Sequence, residues 1–101
     1  MGFDKKPNDY DKDKVTYFYL IKNTEKGAVL SAAQRKKETS DVTKLVKQEG
    51  GQCHLYSTSG GPFDFVSVVT GITTAAAVRI AEEIGKRGTV KARLVPGLEM
   101  F

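Results

Sequence analysis

The spacing of apolar residues along the chain changes several times between the period of a strand and that of a helix. Residues 15–21 are β-branched or aromatic nearly throughout, which is typical of a strand covered on both sides. Shorter runs of the same kind follow later in the chain, and the last alternates apolar with basic residues. We predict strands near 15–22, 52–58, 63–70 and 89–95.

Two segments carry apolar residues at helical spacing. We predict a helix over 73–87, with an alanine- and isoleucine-rich buried stripe. In the other segment, the polar run 35–40 has no apolar anchor. We therefore expect a short helical piece, a break or kink, and then a main helix near 40–49 that ends at Gly50 and Gly51.

The resulting order, β-α-β-β-α-β, predicts an α+β fold of the ferredoxin-like type. In this sandwich a four-stranded antiparallel sheet carries two helices on one face. The other face would be bare in a monomer, and we expect it to take large apolar residues from the first and third strands, Phe65 among them. Exposed apolar surface of that size marks an interface or a binding site, and packing two sheets together is the natural way to cover it. We therefore expect a homo-oligomer, a dimer or larger.

Composition divides the chain into three parts. Residues 1–14 hold many charges and only Phe3 and Tyr10 as sizeable apolar groups, so we predict a flexible charged N-terminal arm. Residues 15–96 form the folded domain. Pro96 and Gly97 should end the last strand, which leaves 97–101 as an apolar C-terminal tail.

Charge and cysteine content narrow the classes of function. The 101-residue chain has 16 basic and 12 acidic residues, a net charge of +4 that is well mixed along the sequence. We do not expect nucleic-acid binding, which would require six basic residues to share one surface: Arg35, Lys36, Lys37, Arg79, Lys91 and Arg93. No apolar run approaches the length of a membrane span, and the N-terminus does not read as a secretory signal. A single cysteine, Cys53, favours a cytoplasmic protein.

Residues 15–96 resemble the GYD domain family of bacterial and archaeal proteins. The resemblance lies in a tyrosine-rich first strand, a helix closing on Gly50-Gly51, and the segment 61–64 before an apolar strand. The family motif is a glycine, a variable residue, a tyrosine and an aspartate. Gly61 and Asp64 match it, and Phe63 replaces the tyrosine. The resemblance implies a ferredoxin-like, oligomer-forming domain related in shape to dimeric α/β barrel proteins, with no established reaction.

His54 and Asp64 are the candidates for catalysis. If the hairpin pairs symmetrically about Gly60, they share one face with Tyr56, and a histidine oriented by an aspartate can act as a general base. The alternative, which we favour, is structural. Asp64 would then accept backbone N–H bonds from the Gly60-Gly61 turn, so that Gly60, Gly61 and Asp64 form a structural turn.

We expect no metal and no cofactor. Cys53 and His54 are neighbours on a strand and point to opposite faces, so they cannot readily hold one metal ion. The glycine pairs do not precede a helix as phosphate loops do. The third strand has no basic residue of the kind that accompanies RNA-binding aromatics. The residues that we expect at a ligand site or interface are Tyr17, Tyr19, Tyr56, Phe63 and Phe65.

Three classes of function remain. The favoured one is a non-catalytic oligomeric domain that binds a small molecule or a partner protein between its sheet and helices. The second is a cofactor-independent oxygenase or isomerase of the dimeric α/β barrel type, which would use His54, Asp64 or a tyrosine. The third, least favoured, is a nucleic-acid accessory protein.

Overall fold

The computed structural model describes residues 15–98, so the predicted arm 1–14 and the last three residues of the predicted tail lie outside the described part. Within this range, four strands and three helices follow in the expected order. The elements are β1 (Val15–Asn23), α1 (Glu25–Ala28), α2 (Ala32–Gln48), β2 (Gln52–Ser57), β3 (Phe65–Thr70), α3 (Thr74–Lys86) and β4 (Val90–Leu98).

The four strands form one antiparallel sheet in the order β2-β3-β1-β4. β1 lies in the centre, where Tyr19 faces Ser67 of β3 and Leu94 of β4. Every second residue of β1, from Tyr17 to Ile21, is buried beneath the helices, while the residues between them are less buried. The ferredoxin-like α+β fold is therefore confirmed.

The core lies between the sheet and the helices. Most of the buried helical side chains belong to α3. Its alanines let the helix lie close to the sheet, and its isoleucines fill the space over β1 and β4. α2 contributes one fully buried side chain, Val46. The buried apolar residues are Tyr17, Tyr19, Ile21, Val46, Val69, Ile72, Ala76, Ala77, Ile80, Ile84 and Val90.

The predicted break before residue 40 is wrong, because α2 runs without interruption from Ala32 to Gln48. Ser31 starts the helix with a capping box: its hydroxyl accepts from the Gln34 N–H, and the Gln34 side chain accepts from the Ser31 N–H. Side chains of the polar run 35–40 form hydrogen bonds with neighbouring elements: Arg35 donates to the Gly27 carbonyl, and Glu38 accepts from the Thr89 hydroxyl. Polar contacts here replace the apolar anchor that the sequence lacks.

The predicted end of β4 at Pro96 is also wrong, because the strand continues to Leu98. β4 is an edge strand, where proline's missing N–H removes no necessary ladder bond. Gly97 follows opposite Thr16, and a Cβ at Gly97 would come within 2.8 Å of the Phe18 ring. A glycine therefore lets β4 pass close to β1, and the first two residues of the predicted tail belong to the sheet.

The hairpin between β2 and β3 turns about Gly61 rather than Gly60, since Ser57 pairs with Phe65. Gly61 has a φ of 89°, in the region that glycine favours over all other residues, which agrees with its predicted turn role. Phe63 and Asp64 precede β3 rather than belonging to it. Thr58 closes the loop through hydrogen bonds with Phe63 and Asp64.

Candidate functional site

Tyr17 and Tyr19 are core residues, only 1% and 0% exposed, and not part of the bare face of the sheet. The Tyr17 hydroxyl lies 2.7 Å from the Thr74 hydroxyl, and the Tyr19 hydroxyl donates to the Ala77 carbonyl at 2.7 Å. Burial raises the pKa of Tyr19 far above its usual value, and the neighbouring Tyr17 and Cys53 add to the shift. Both tyrosines tie β1 to α3.

The other aromatic candidates lie in three different places. Phe65 faces the helices, against our expectation that it would lie on the bare face, since it pairs with Ile21 on the buried side of β1. Phe63 is half-buried in the loop before β3. Tyr56 lies on the face of the sheet away from the helices and is 57% exposed.

The two catalytic candidates are not brought together. His54 pairs with Val68 on the bare side of the sheet, whereas Asp64 lies beside Thr58, four residues further along the hairpin. That separation along a strand is about 13 Å. The Asp64 carboxylate accepts the backbone N–H of Asn23 at 2.8 Å, so it joins the loop to β1 rather than holding the glycine turn. The paired general base is therefore absent from the described residues.

A cavity of about 280 Å³ lies between α2 and the strands β2 and β3. Its floor is formed by well-buried residues such as Ser67, which is 2% exposed, and its rim by residues such as Leu55, which is 42% exposed. The apolar lining consists of Ile21, Val42, Leu55, Phe65, Ile84 and Val90. The polar lining consists of Arg35, Glu38, Thr39, Thr43, Cys53, Ser57 and Ser67.

The cavity exists because α2 turns polar and short side chains toward this half of the sheet. Thr39 and Thr43 lie on its inner side, and each hydroxyl donates to the carbonyl four residues earlier, at 3.0 and 2.9 Å. On the facing strands Cys53 and Ser67 are equally short, with Sγ and Oγ 3.2 Å apart. None of these side chains is long enough to fill the gap between helix and strands.

Arg35 is held at the cavity by residues of several elements. Its Nη2 donates to the Asn23 side-chain oxygen and to the Gly27 carbonyl, and its guanidinium lies 5.1 Å from the centre of the Phe65 ring. Asn23 is held in turn by Asp64. The Gly61–Asp64 segment thus reaches the cavity through Asn23.

Sequence reasoning missed most of the cavity. Of the expected site residues only Phe65 lines it; Arg35, Glu38, Thr39 and Cys53 were not expected there. The signal was present in the polar run 35–40, which we interpreted as a break in the helix. A helical segment whose inward side is polar and small also predicts a space between that helix and its sheet.

The face of the sheet away from the helices, here called the open face, is apolar in the middle and basic at one end. Phe18, Leu20, Val66 and Val68 pair with one another across β1 and β3 at its centre. Lys22 and Lys91 pair at the basic end, Arg93 lies one row further in beside Leu20, and the opposite end carries the uncharged Thr16, Gln52 and Thr70.

The basic residues considered for nucleic-acid binding do not share one surface. Lys91 and Arg93 lie on the open face, Arg35 lines the cavity on the other side of the sheet, and Arg79 on α3 pairs with Glu49 at 2.9 Å. Within residues 15–98 no three histidine, cysteine or acidic residues cluster as metal ligands do. Cys53 and His54 point to opposite faces. In the same range no helix has the length and apolarity to cross a membrane.

The chain is similar in structure to a protein provisionally assigned as a chlorite dismutase and solved by crystallography. The TM-score is 0.61 and the sequence identity 18%, and the match covers 84% of this chain and 44% of that one. This chain therefore corresponds to less than half of that protein, and the likeness shows a shared ferredoxin-like fold. No protein-family model and no curated protein matches the sequence, so the GYD domain resemblance is not confirmed beyond the fold that it implies.

Proposed function

We propose that this protein is a non-catalytic domain that binds a small molecule in the cavity between α2 and the sheet. The observation that carries the proposal is the cavity itself: an apolar enclosure near the lower limit of ligand pockets, into which a few polar groups converge. A protein partner would need a broad surface, whereas this space is concave and is closed below by the core. A small ligand therefore fits it better.

The geometry favours binding over an oxygenase or isomerase reaction. The residues that would have supplied a general base, His54 and Asp64, lie away from the cavity and from one another. The Tyr19 phenol is committed to the Ala77 carbonyl, and burial keeps its pKa high, so it does not become a phenolate at neutral pH. The likeness to a protein provisionally assigned as a chlorite dismutase supports the fold and adds no residue to a reaction.

We also propose that the domain forms a homodimer through the open face. The support is the apolar centre of that face, formed by Phe18, Leu20, Val66 and Val68. The helices α2 and α3 pack on the other side of the sheet and leave this centre uncovered. Packing two such sheets face to face would remove these side chains from water. The cavity opens on the other side of the sheet, so dimerisation would leave it accessible.

Native mass spectrometry of the purified protein tests the ligand proposal. We expect a retained molecule of low mass in the unmodified protein and its loss in Thr39→Leu, because a leucine at this inner position of α2 fills the cavity. Ser40→Leu is the matched control, since Ser40 is the next residue and is exposed. Equal retention by Thr39→Leu and Ser40→Leu would contradict the proposed site. A protein that retains nothing, and that no small molecule stabilises against heat, would contradict the function.

A further inference from the structure

We propose that the cavity selects a small apolar molecule with a single negative charge, such as an aromatic carboxylate, and that Arg35 receives its carboxylate. This inference rests on the proposed function and deepens it, because it names the class of ligand. It is carried by the way in which Arg35 is held, by its unused hydrogen-bond donors, and by the acidic residue beside it.

Among residues 15–98, Arg35 is the one cationic side chain in the cavity lining. Both protons of Nη2 are used, one on the Asn23 side chain and one on the Gly27 carbonyl. Among residues 15–98 neither Nε nor Nη1 has an acceptor, and no carboxylate pairs with the guanidinium. A guanidinium presents its donors as a planar fork that matches a carboxylate. Arg35 therefore keeps part of that fork for a ligand.

The position of this fork is fixed before any ligand arrives. Asp64 holds the backbone of Asn23, Asn23 holds Nη2, and the Phe65 ring lies under the guanidinium plane. A group that is already ordered loses little conformational freedom on binding, so more of the interaction energy appears as affinity. Arg35 is also half-buried, and hydrogen bonds to ions are stronger where water is partly excluded.

Glu38 sets an upper limit on the ligand's negative charge. It lines the same cavity three residues after Arg35 on α2, which places the two Cβ atoms about 6 Å apart. Its Oε1 accepts the Thr89 hydroxyl at 2.7 Å, so the carboxylate is held in place. Arg35 and Glu38 together bring no net positive charge to the cavity. A singly charged carboxylate can still bind the nearer Arg35, whereas a doubly charged phosphate loses much more hydration and finds no second countercharge.

The apolar walls and the volume define the rest of the ligand. Val42, Leu55, Phe65 and Ile84 surround the space with aliphatic and aromatic surface. A volume of about 280 Å³ accommodates a body of one aromatic ring and a short substituent.

Fluorine NMR with three probes of similar shape tests the inference: 4-fluorobenzoate, its neutral isostere 4-fluorobenzamide, and the dianionic 4-fluorophenyl phosphate. In the unmodified protein we expect the benzoate to bind about tenfold more tightly than the other two, the range of a charge-assisted hydrogen-bond pair. Arg35→Gln should remove the preference for benzoate over benzamide. Arg79→Gln is the matched control, because Arg79 pairs with Glu49 away from the cavity.

Glu38→Gln supplies a second variant, since Arg35→Gln removes contacts to Asn23 and Gly27 and can weaken the fold. It should raise the affinity for the phosphate probe more than that for benzoate. Equal affinities of benzoate and benzamide in the unmodified protein would overturn the charge selection and leave the binding function standing. Benzoate binding that survives Arg35→Gln in a folded protein would overturn the role of Arg35. If none of the three probes binds, the proposed ligand class is wrong. If native mass spectrometry also shows no retained molecule, the proposed binding function is wrong as well.

Discussion

Tyr19 makes the stability of the protein depend on pH in the alkaline range. Its phenol is completely buried and donates to Ala77, and burial raises its pKa far above that of an unfolded tyrosine, about 10. The stabilising contribution is complete below that pH. Above it, the unfolded chain loses the proton while the folded one keeps it, so stability falls by up to about 1.4 kcal/mol per pH unit.

Denaturant unfolding at neutral pH and near the limit of alkaline stability measures this effect. Tyr19→Phe should lower stability at neutral pH by about 1 kcal/mol, through the lost hydrogen bond, and should flatten the alkaline decline. Tyr56→Phe is the control, because Tyr56 is largely exposed. An alkaline decline of the same slope in Tyr19→Phe and in the unmodified protein would show that another group is responsible.

For Asp64 the sequence predicted a structural role correctly but the wrong hydrogen-bond partner. The sequence pointed to a structural aspartate at the glycine turn, and the structure has the carboxylate bound to Asn23 of β1. The turn residues are adjacent to Asp64 in the sequence, whereas Asn23 is 41 positions away. Local reasoning favours local acceptors and donors, so a long-range bond of this kind could not be predicted.

Asp64→Ala should cost about 1–2 kcal/mol of folding free energy, because the Asn23 N–H loses a charged acceptor. Asp64→Asn should recover much of that, since its amide oxygen can accept the same bond. Thermal unfolding of both variants provides the measurement. If Asp64→Ala leaves stability unchanged and instead abolishes ligand binding, the aspartate acts on the site rather than on the fold.

Among the elements, α3 and the strands could be predicted from the sequence. Their apolar residues recur at the spacing of a helix or a strand because those positions face the core. Ala77, Ile80 and Ile84 recur at helical spacing and all pack in the core. α2 could not be predicted in full, because its first half faces a cavity and its inward positions are polar. The side of the sheet taken by each residue was also hidden, since β1 is apolar on both faces and its pattern alone does not say which face the helices cover.

The N-terminal half of α2 should be as well ordered as its C-terminal half. Ser31→Ala should destabilise the protein by about 1 kcal/mol, because the capping box then loses the acceptor for the Gln34 N–H. Ser40→Ala, in the exposed middle of the same helix, should change stability by less than about 0.5 kcal/mol in either direction. Hydrogen exchange should show protected amides at residues 36–41. Fast exchange of these amides would show that the helix is interrupted there, as the sequence predicted.

At the scale of the whole molecule, the distribution of charge on the open face bears on how two copies could pair. Lys22 and Lys91 occupy one end, Arg93 lies one row further in beside Leu20, and among residues 15–98 the opposite end has no charge. A twofold axis through the apolar centre that reverses the strand direction places each basic end over the partner's uncharged end. The arrangement avoids like-charge contact while the apolar centres meet, so the proposed homodimer is electrostatically permitted.

The size of the face indicates a weak dimer. Four strands about 4.8 Å apart and some seven residues long give a footprint of about 400 Å² per copy, which is below the roughly 600 Å² per partner at which standard specific interfaces begin. We expect dissociation in the micromolar range, so sedimentation should show monomers and dimers exchanging across roughly 1–100 μM. Leu20→Asp should give a folded monomer at all of these concentrations, because Leu20 lies at the apolar centre. Phe65→Asp would not test this interface, since Phe65 faces the cavity.

Val78→Asp is the matched control for the dimer. Val78 is also an exposed apolar residue, but it lies on the outer side of α3, so a charge there should leave the monomer–dimer equilibrium unchanged. A far-ultraviolet circular dichroism spectrum identical to that of the unmodified protein would show that Leu20→Asp is folded. If the unmodified protein sediments as a monomer even at the highest concentration, the homodimer is wrong. The proposed interface is also wrong if Val78→Asp dissociates the dimer as fully as Leu20→Asp. The dimer would then form through the helices, and the cavity rim would lie close to the partner.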